Sequence, residues 1–256
     1  MNRNSSIETG IAICVSNFKT VISHLIASGD KYNPQNRRIM ISTLQDQLSR
    51  VQTSIDVVFS AQSQTVIAEG ILKETFAPLR AIITRVLAVV NTLSLSYVTR
   101  LHITNIIRKI RYRRARLMPV VPQNKAGEPV SYITVSQSDF TLQITFLSQL
   151  IDQLYHLSDY APDESDITIS GLLIQLSRMR IASDLVTQSH RRLSLARDAR
   201  NILLYAPVSG MMDTASYIKN YVRSLFGAEN SVYKKINKLK FSKVKLSSYT
   251  HPPRQI

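Results

Sequence analysis

Apolar side chains recur at steps of four and three residues along most of the chain, which is the spacing of one helix face. The clearest series is typical of a seam against partner helices. It comprises Leu72, Phe76, Leu79, Ile83, Val86, Val90 and Leu93. The pattern predicts an all-α protein with helices over residues 6–28, 38–75, 78–97, 100–116, 137–157, 166–205 and 211–226.

One stretch of this pattern occurs twice. YNPQNRRIMISTLQDQLSR at residues 32–50 and YAPDESDITISGLLIQLSR at residues 160–178 share ten of nineteen positions at an offset of 128. We therefore predict two related multi-helix repeats. In each copy the proline is expected to hold the preceding residue extended and so end the incoming helix. The tyrosine is expected to pack its ring on the bundle and keep its hydroxyl in water.

The duplication predicts an elongated helical bundle with four parts along the chain. These parts are a first helical repeat (1–116), a linker (117–136), a second helical repeat (137–227) and a basic C-terminal tail (228–256). The linker holds three prolines, a glycine and a β-branched stretch at 131–135. KLKFSKVKL at 238–246 alternates charged and apolar residues, as a strand does. The two stretches together predict a short β-ribbon.

Composition also favours long helices. The 256 residues include seven glycines and no tryptophan, and 44% are apolar, which suits a sizeable core and disfavours a sandwich built on tight turns. The single cysteine, Cys14, excludes an internal disulfide and is predicted to be a buried thiol.

The amino terminus lacks a secretory pattern, and the apolar run from Ala81 is interrupted by Arg85. We expect a cytoplasmic protein without a transmembrane segment.

Six segments that cover most of the chain carry a resemblance to known proteins. They are FAPLRAIITRVL (76–87), IIRKIRYRRA (106–115), ITVSQSDF (133–140), YAPDESDITISGL (160–172), LARDARNILLY (195–205) and YIKNYVRSLFGAENSVYKKINKLKF (217–241). These segments resemble a family of uncharacterised helical proteins found in Bacteroidota. The resemblance implies a duplicated helical architecture and brings no activity, cofactor or catalytic residue with it.

The net charge of +15 is confined to two segments, each at the end of one predicted repeat. Residues 100–116 hold seven basic and no acidic side chains, and residues 217–256 hold nine basic side chains against Glu229. The remainder of the chain has sixteen side chains of each sign. Clustered cations with tyrosines nearby suit phosphate backbones, because each phosphate contact releases counterions and aromatic faces can stack on bases.

The candidate nucleic-acid-binding residues are cations of these two segments. They are Arg108, Lys109, Arg111, Arg113, Arg114, Arg116, Lys234, Lys235, Lys238, Lys240, Lys243 and Lys245. No RNP, zinc-finger or helix-turn-helix motif accompanies them. An acidic protein or an anionic lipid surface would suit the same charges. A solvated surface is a further alternative, since inward-facing Ile103, Ile107 and Ile110 turn the arginines outward and cations stabilise a last helical turn.

Motifs of catalysis or metal binding do not occur in the sequence. It contains no glycine-rich phosphate loop, HExxH or G-x-S-x-G, and its five histidines form no i,i+4 pair. The densest carboxylate group consists of Asp159, Asp163, Glu164 and Asp166. Its spacing is not that of an EF-hand, and Ser165 or Asp166 is expected to cap the following helix. Asp56 and Asp184, equivalent in the two repeats, are expected to form salt bridges or face solvent.

These observations predict a non-catalytic binding protein with no metal, cofactor or small-molecule substrate. Its two basic segments are expected to engage an anionic partner, nucleic acid first. The alternative is a structural or self-assembling helical protein without a nucleic-acid role. In that case its helices and tail pair with copies of itself or with another protein, and the basic residues keep it soluble.

Overall fold

A computed structural model describes residues 3–111 and 135–241 of the protein. The regular structure of these residues is entirely helical, as the apolar spacing predicts. The helices are α1 (Arg3–Ala27), α2 (Ile41–Phe76), α3 (Leu79–Thr92), α4 (Tyr97–Arg111), α5 (Val135–Tyr155), α6 (Ile169–Tyr205), α7 (Met211–Phe226) and α8 (Ser231–Lys238). Two 3-10 turns, Gly29–Lys31 and Arg37–Ile39, lie between α1 and α2.

The chain divides into two compact units that differ from the two sequence halves. The first unit takes the residues up to Gln62 and those from Arg192 onward, and the second takes Ser63–Arg191. The long helices α2 and α6 each contribute one end to each unit. Each unit therefore combines helices from both predicted repeats.

The first unit is built around α1, α7 and α8. Helix α8 packs against α7 and α1, and Phe18 and Leu25 of α1 are fully buried in the core. Cys14 is buried there as well, which confirms the prediction for the thiol. The Arg200 guanidinium is buried and donates to both carboxylate oxygens of Glu8, at 2.7 and 2.8 Å. Because an unpaired buried charge is costly, this pair fixes α1 against α6.

The second unit is built around α3, α4 and α5, with α4 packed against the other two. Its core contains the seam that the sequence predicts. Leu72, Phe76, Leu79, Ile83, Val86 and Val90 are buried, and Leu93 packs half-buried against them. The repeated step of four and three residues is therefore confirmed as a helix-packing signal.

The two tyrosines of the duplicated stretch make the same contact, one in each unit. The Tyr32 hydroxyl donates to the Ile39 carbonyl at 2.6 Å, and the Tyr160 hydroxyl donates to the Ile167 carbonyl at 2.7 Å. Both rings are buried. The ring packing is as expected, but the expectation of a hydroxyl in water is wrong, because the turn folds back and presents a carbonyl to it.

A second matched contact involves the glutamines of the duplicated stretch. Gln47 of α2 donates to the Ser209 carbonyl at 2.9 Å in the first unit. Gln175 of α6 donates to the Thr75 carbonyl at 2.7 Å in the second. Each acceptor lies at the end of a long helix or just beyond it, where the chain turns into the next helix. Both glutamines thus satisfy a carbonyl at a helix–helix junction.

Replacing Tyr160 with phenylalanine leaves the buried Ile167 carbonyl without its donor, and we expect the free energy of unfolding near pH 7 to fall by about 1 to 2 kcal/mol. Burial, with a smaller contribution from the Glu164 carboxylate, raises the pKa of Tyr160 to about 12. In the unfolded chain the phenol titrates near 10. The stabilisation is therefore fully present below pH 10 and is lost as pH rises through the folded-state pKa.

Denaturant unfolding of the native protein and the Tyr160→Phe variant at about pH 8 and about pH 11 measures this effect. The difference between the two proteins should shrink at the higher pH. Tyr155→Phe is the control, because Tyr155 lies in the same unit and is 73% exposed. A difference that is the same at both pH values, or an equal loss in the control, would contradict the assignment.

The spacing of apolar residues along α7 predicts an inward face made of Met212, Ala215, Ile218, Val222 and Leu225. Met212, Ala215, Ile218 and Val222 are buried as expected, but Leu225 is exposed, so that prediction is wrong. The helix ends at Phe226, and Gly227 follows with φ +78°, a positive value that glycine adopts without the steric cost a side chain would bring. Leu225 is therefore in the last turn, at the edge of the core.

The start of α6 also differs from expectation. The Thr168 hydroxyl accepts the Gly171 amide at 3.1 Å and caps the helix. Asp166 instead pairs with Arg85 of α3. Both Thr168 and Asp166 precede the first turn, and the Arg85 guanidinium, which the sequence does not place, draws the carboxylate away from the cap.

The basic tail begins with a helix that the periodicity does not predict. Val232 and Ile236 of α8 are apolar, and only Ile236 is fully buried. Most of the predicted β-ribbon, at 131–135 and 238–246, lies outside the described residues. Of its residues that the structure describes, Val135 begins α5, Lys238 ends α8, and residues 239–241 are neither helix nor strand.

Within the described ranges, one stretch is long and apolar enough to cross a bilayer, namely Glu8–Ala27 of α1. Core helices of bundles pass the same test of length and composition. Phe18, Val21 and Leu25 of this stretch are buried in the first unit.

Candidate nucleic-acid interface

The first candidate cations lie at the end of α4 in the second unit. Arg108 and Lys109 are exposed, while Ile107 and Ile110 on the opposite face are buried, as the sequence predicts. Ile103 and Ile106 are also buried. The four isoleucines of this face anchor α4 to the core, which fixes the direction in which the two cations project.

The second set lies on α8 in the first unit. Lys234 and Lys235 are exposed, and Ile236 beside them is fully buried. Asn230 caps the helix, because its side chain accepts a hydrogen bond from the Val232 amide at 2.8 Å. Lys238 and Lys240 are exposed at the end of α8 and just beyond it.

The two sets share one arrangement. Arg108, Lys109 and Ile110 on α4 correspond to Lys234, Lys235 and Ile236 on α8 at an offset of 126. In both helices two exposed cations precede a buried isoleucine. Each helix packs against the helix before it, α4 on α3 and α8 on α7. The chain then continues directly into the rest of its basic segment.

Several cations of these segments are engaged within the protein. Arg111 donates to the Thr84 hydroxyl at 2.6 Å, and the Lys109 ammonium lies 5.3 Å from the centre of the Phe146 ring. Lys234 pairs with Glu229 at 2.5 Å on an exposed surface. Arg108, Lys235 and Lys238 make no side-chain hydrogen bond or ion pair within the described ranges, so their full charge faces solvent.

Lys219 belongs to the basic C-terminal segment but has a structural role. Its ammonium donates to the carbonyls of Leu239 at 2.6 Å and Asn237 at 3.2 Å, at the end of α8. It also lies 5.4 Å from the centre of the Phe241 ring. Burial lowers the pKa of this ammonium. A cation at a helix C-terminus is stabilised by the orphan carbonyls there, so Lys219 holds α8 in place.

The start of the tail is fixed by two more contacts. Asn17 of α1 donates to the Lys240 carbonyl at 2.9 Å, and Phe18 packs edge-on against Phe241 with ring centres 6.4 Å apart. These contacts fix the backbone that carries Lys240 and the exposed lysines of α8 within the first unit. Of the predicted site residues, Arg113, Arg114, Arg116, Lys243 and Lys245 lie outside the described residues.

The carboxylates and histidines do not assemble into a metal site within the described residues. No group of three or more His, Cys, Asp or Glu side chains there has the arrangement to hold a metal ion. His190 lies 3.3 Å from Glu69, as a pair between α6 and α2. Asp56 and Asp184 are both exposed, and they belong to different units.

Sequence reasoning missed Tyr97, which shares a face of α4 with the cations. The predicted helix starts at residue 100, whereas α4 starts at Tyr97. Ser96 accepts the Thr99 amide at 3.1 Å and so caps the helix three residues earlier than expected. The serine before Tyr97 was the available signal. Tyr97 is 78% exposed.

Comparison with protein-family models, curated proteins and solved structures finds no match for the chain. The resemblance to helical proteins of Bacteroidota stays a prediction.

Proposed function

We propose that this protein is a non-catalytic binding protein that engages an anionic partner, nucleic acid first, through its two basic segments. The proposal rests on two matched pairs of exposed cations. Arg108 and Lys109 lie on α4, and Lys234 and Lys235 lie on α8. In each unit they sit beside a buried isoleucine, on a helix held by the core. A polyanion with regularly spaced charges is the partner that suits two such arrangements.

The placement of the charge supports phosphate as the group that is bound. The two segments hold the entire net charge of +15, and the rest of the chain is balanced. Cations near a helix C-terminus do stabilise the helix, but this contributes only about 0.3 to 1 kcal/mol each. Lys219 provides that contact in α8 by itself, so the exposed Lys235 and Lys238 are not needed for it.

Neutralising one exposed pair tests this proposal. We expect Arg108→Gln with Lys109→Gln to weaken binding to labelled single strands or duplexes, by roughly threefold to tenfold at low salt for two lost phosphate contacts. Fluorescence anisotropy measures the affinity. The control is Arg178→Gln with Arg180→Gln, which removes the same charge from exposed positions on α6 in the same unit. Equal losses in the two double variants would indicate a nonspecific effect of net charge.

A second candidate function, self-assembly, is favoured by apolar side chains that the second unit leaves exposed. Val66 and Ile67 of α2, and Ile174 and Ile181 of α6, are each more than half exposed. Large apolar side chains that water surrounds can be covered by a protein–protein contact. Light scattering tests it, since a dimer or larger species supports self-assembly and a monomer at all concentrations argues against it.

The duplication is part of the same proposal. The matched tyrosine and glutamine contacts, the 36 and 37 residues of α2 and α6, and the cation pairs of α4 and α8 support two diverged copies of one ancestral repeat. In this account each copy supplies one of the two basic binding helices.

A further inference from the structure

The solvent face of α4 carries more than its two cations. Tyr97, Leu101, Asn105 and Arg108 follow one another at steps of four, four and three residues and so form one stripe along the helix. All four are exposed, on the side opposite the buried isoleucines. The stripe is aromatic and apolar at its start and cationic at its end, where Lys109 adjoins it.

The aromatic end of the stripe is held in position. The Ser96 hydroxyl caps the helix through the Thr99 amide and lies 2.8 Å from the Thr99 hydroxyl. The Arg100 guanidinium donates to the Leu93 carbonyl at 2.8 Å and ties the same turn to the end of α3. The Tyr97 ring therefore projects from a fixed backbone. It stacks on no other ring within the described residues.

Apolar neighbours enlarge the exposed surface around that ring. Val98 is 74% exposed and Leu101 is 41% exposed. Large apolar side chains displayed in water beside cations indicate a ligand that has both apolar faces and negative charge. From Tyr97 to Arg108 the helix rises about 16 Å, enough to contact several successive groups of a chain.

We propose that this stripe binds a single strand of nucleic acid. A base stacks on Tyr97, with Val98 and Leu101 beside it, while Arg108 and Lys109 contact phosphates further along the strand. Unpaired bases in a single strand can offer their faces to an aromatic side chain, whereas in a duplex those faces are covered by neighbouring base pairs. This inference rests on the proposed function of the same cations and specifies which form of nucleic acid they bind.

Helix α8 of the first unit does not carry the same stripe. In the first unit, α8 begins with Ser231 and the half-buried Val232, and Tyr233 is also half-buried. The cations of α8 thus lack an exposed aromatic side chain on the same helix. We therefore expect α8 to contribute charge alone, and α4 to determine the preference for a single strand.

The test compares labelled single strands and duplexes of equal length, in DNA and RNA forms, against four proteins. These are the native chain, Tyr97→Ser, Tyr97→Phe and Tyr155→Ser. We expect the native chain to prefer single strands. Tyr97→Ser should lose about tenfold in single-strand affinity, the effect of one stacked base, with its duplex affinity unchanged. Tyr97→Phe should retain native binding, because the ring alone stacks.

Tyr155→Ser is the matched control, since Tyr155 is also a tyrosine of the second unit, 73% exposed, on α5. It should bind as the native chain does. Equal affinity of the native chain for single strands and duplexes, or no effect of Tyr97→Ser, would overturn the stacking inference and leave the proposed function standing. Absence of binding to every form at low salt would overturn the proposed function itself.

Discussion

Replacing Gly171 with alanine should lower the free energy of unfolding by about 3 kcal/mol, the upper end of the usual cost of overpacking. Gly171 lies in the first turn of α6, and a Cβ atom built there would be 2.1 Å from the Ser165 carbonyl oxygen. It would also lie 2.9 Å from two backbone atoms of Asp166. These are backbone atoms, so no side-chain rotation relieves the clash.

Gly70→Ala is the matched control for that variant. Gly70 lies inside α2 in the same unit, and a Cβ built there meets no atom within 4 Å. Alanine should therefore raise stability by about 1 kcal/mol, the difference in helix propensity. Thermal or denaturant unfolding measures both changes. Shifts of the same sign in the two variants would contradict the close approach of the residue 165–166 backbone to α6.

The importance of Gly171 was not predictable from the sequence. The equivalent residue of the first copy is Thr43, so a glycine is no part of the shared pattern. The requirement arises because the turn before α6 folds back over the start of that helix. Such a close approach depends on the three-dimensional path of the turn, which periodicity does not specify.

Helix packing was the most predictable part of the fold. The seam from Leu72 to Val90 could be recognised because a buried helix face repeats every three to four residues. The same rule failed at Leu225, since periodicity continues to the end of a helix while the core does not. It also missed α8, because this eight-residue helix is too short to establish a period and is followed by residues that alternate like a strand.

The candidate site was predictable in position but not in detail. Charge counting located the cations, and the apolar face of α4 correctly indicated that Arg108 points outward. Charge counting did not distinguish Lys219, which donates to carbonyls at the end of α8, from Lys235 and Lys238, which face solvent. That distinction depends on contacts between residues some 20 positions apart along the chain.

Binding that rests on phosphate contacts should weaken steeply as salt rises. Each neutralised phosphate releases condensed counterions, so the logarithm of affinity falls linearly with the logarithm of salt concentration, by about 0.7 to 0.9 per contact. The two basic segments hold sixteen cations. If six to ten of them contact phosphates, affinity should fall on the order of a thousandfold or more between about 50 and 200 mM salt.

A titration of the intact protein against a labelled single strand at a series of salt concentrations tests phosphate binding most directly. We expect tight binding at the lowest salt and a straight double-logarithmic plot of affinity against salt concentration with a slope of about −4 or steeper. The Arg108→Gln/Lys109→Gln variant should reduce that slope by between one and two. No binding at the lowest salt, or an affinity that does not change with salt, would show that the two basic segments do not bind phosphates.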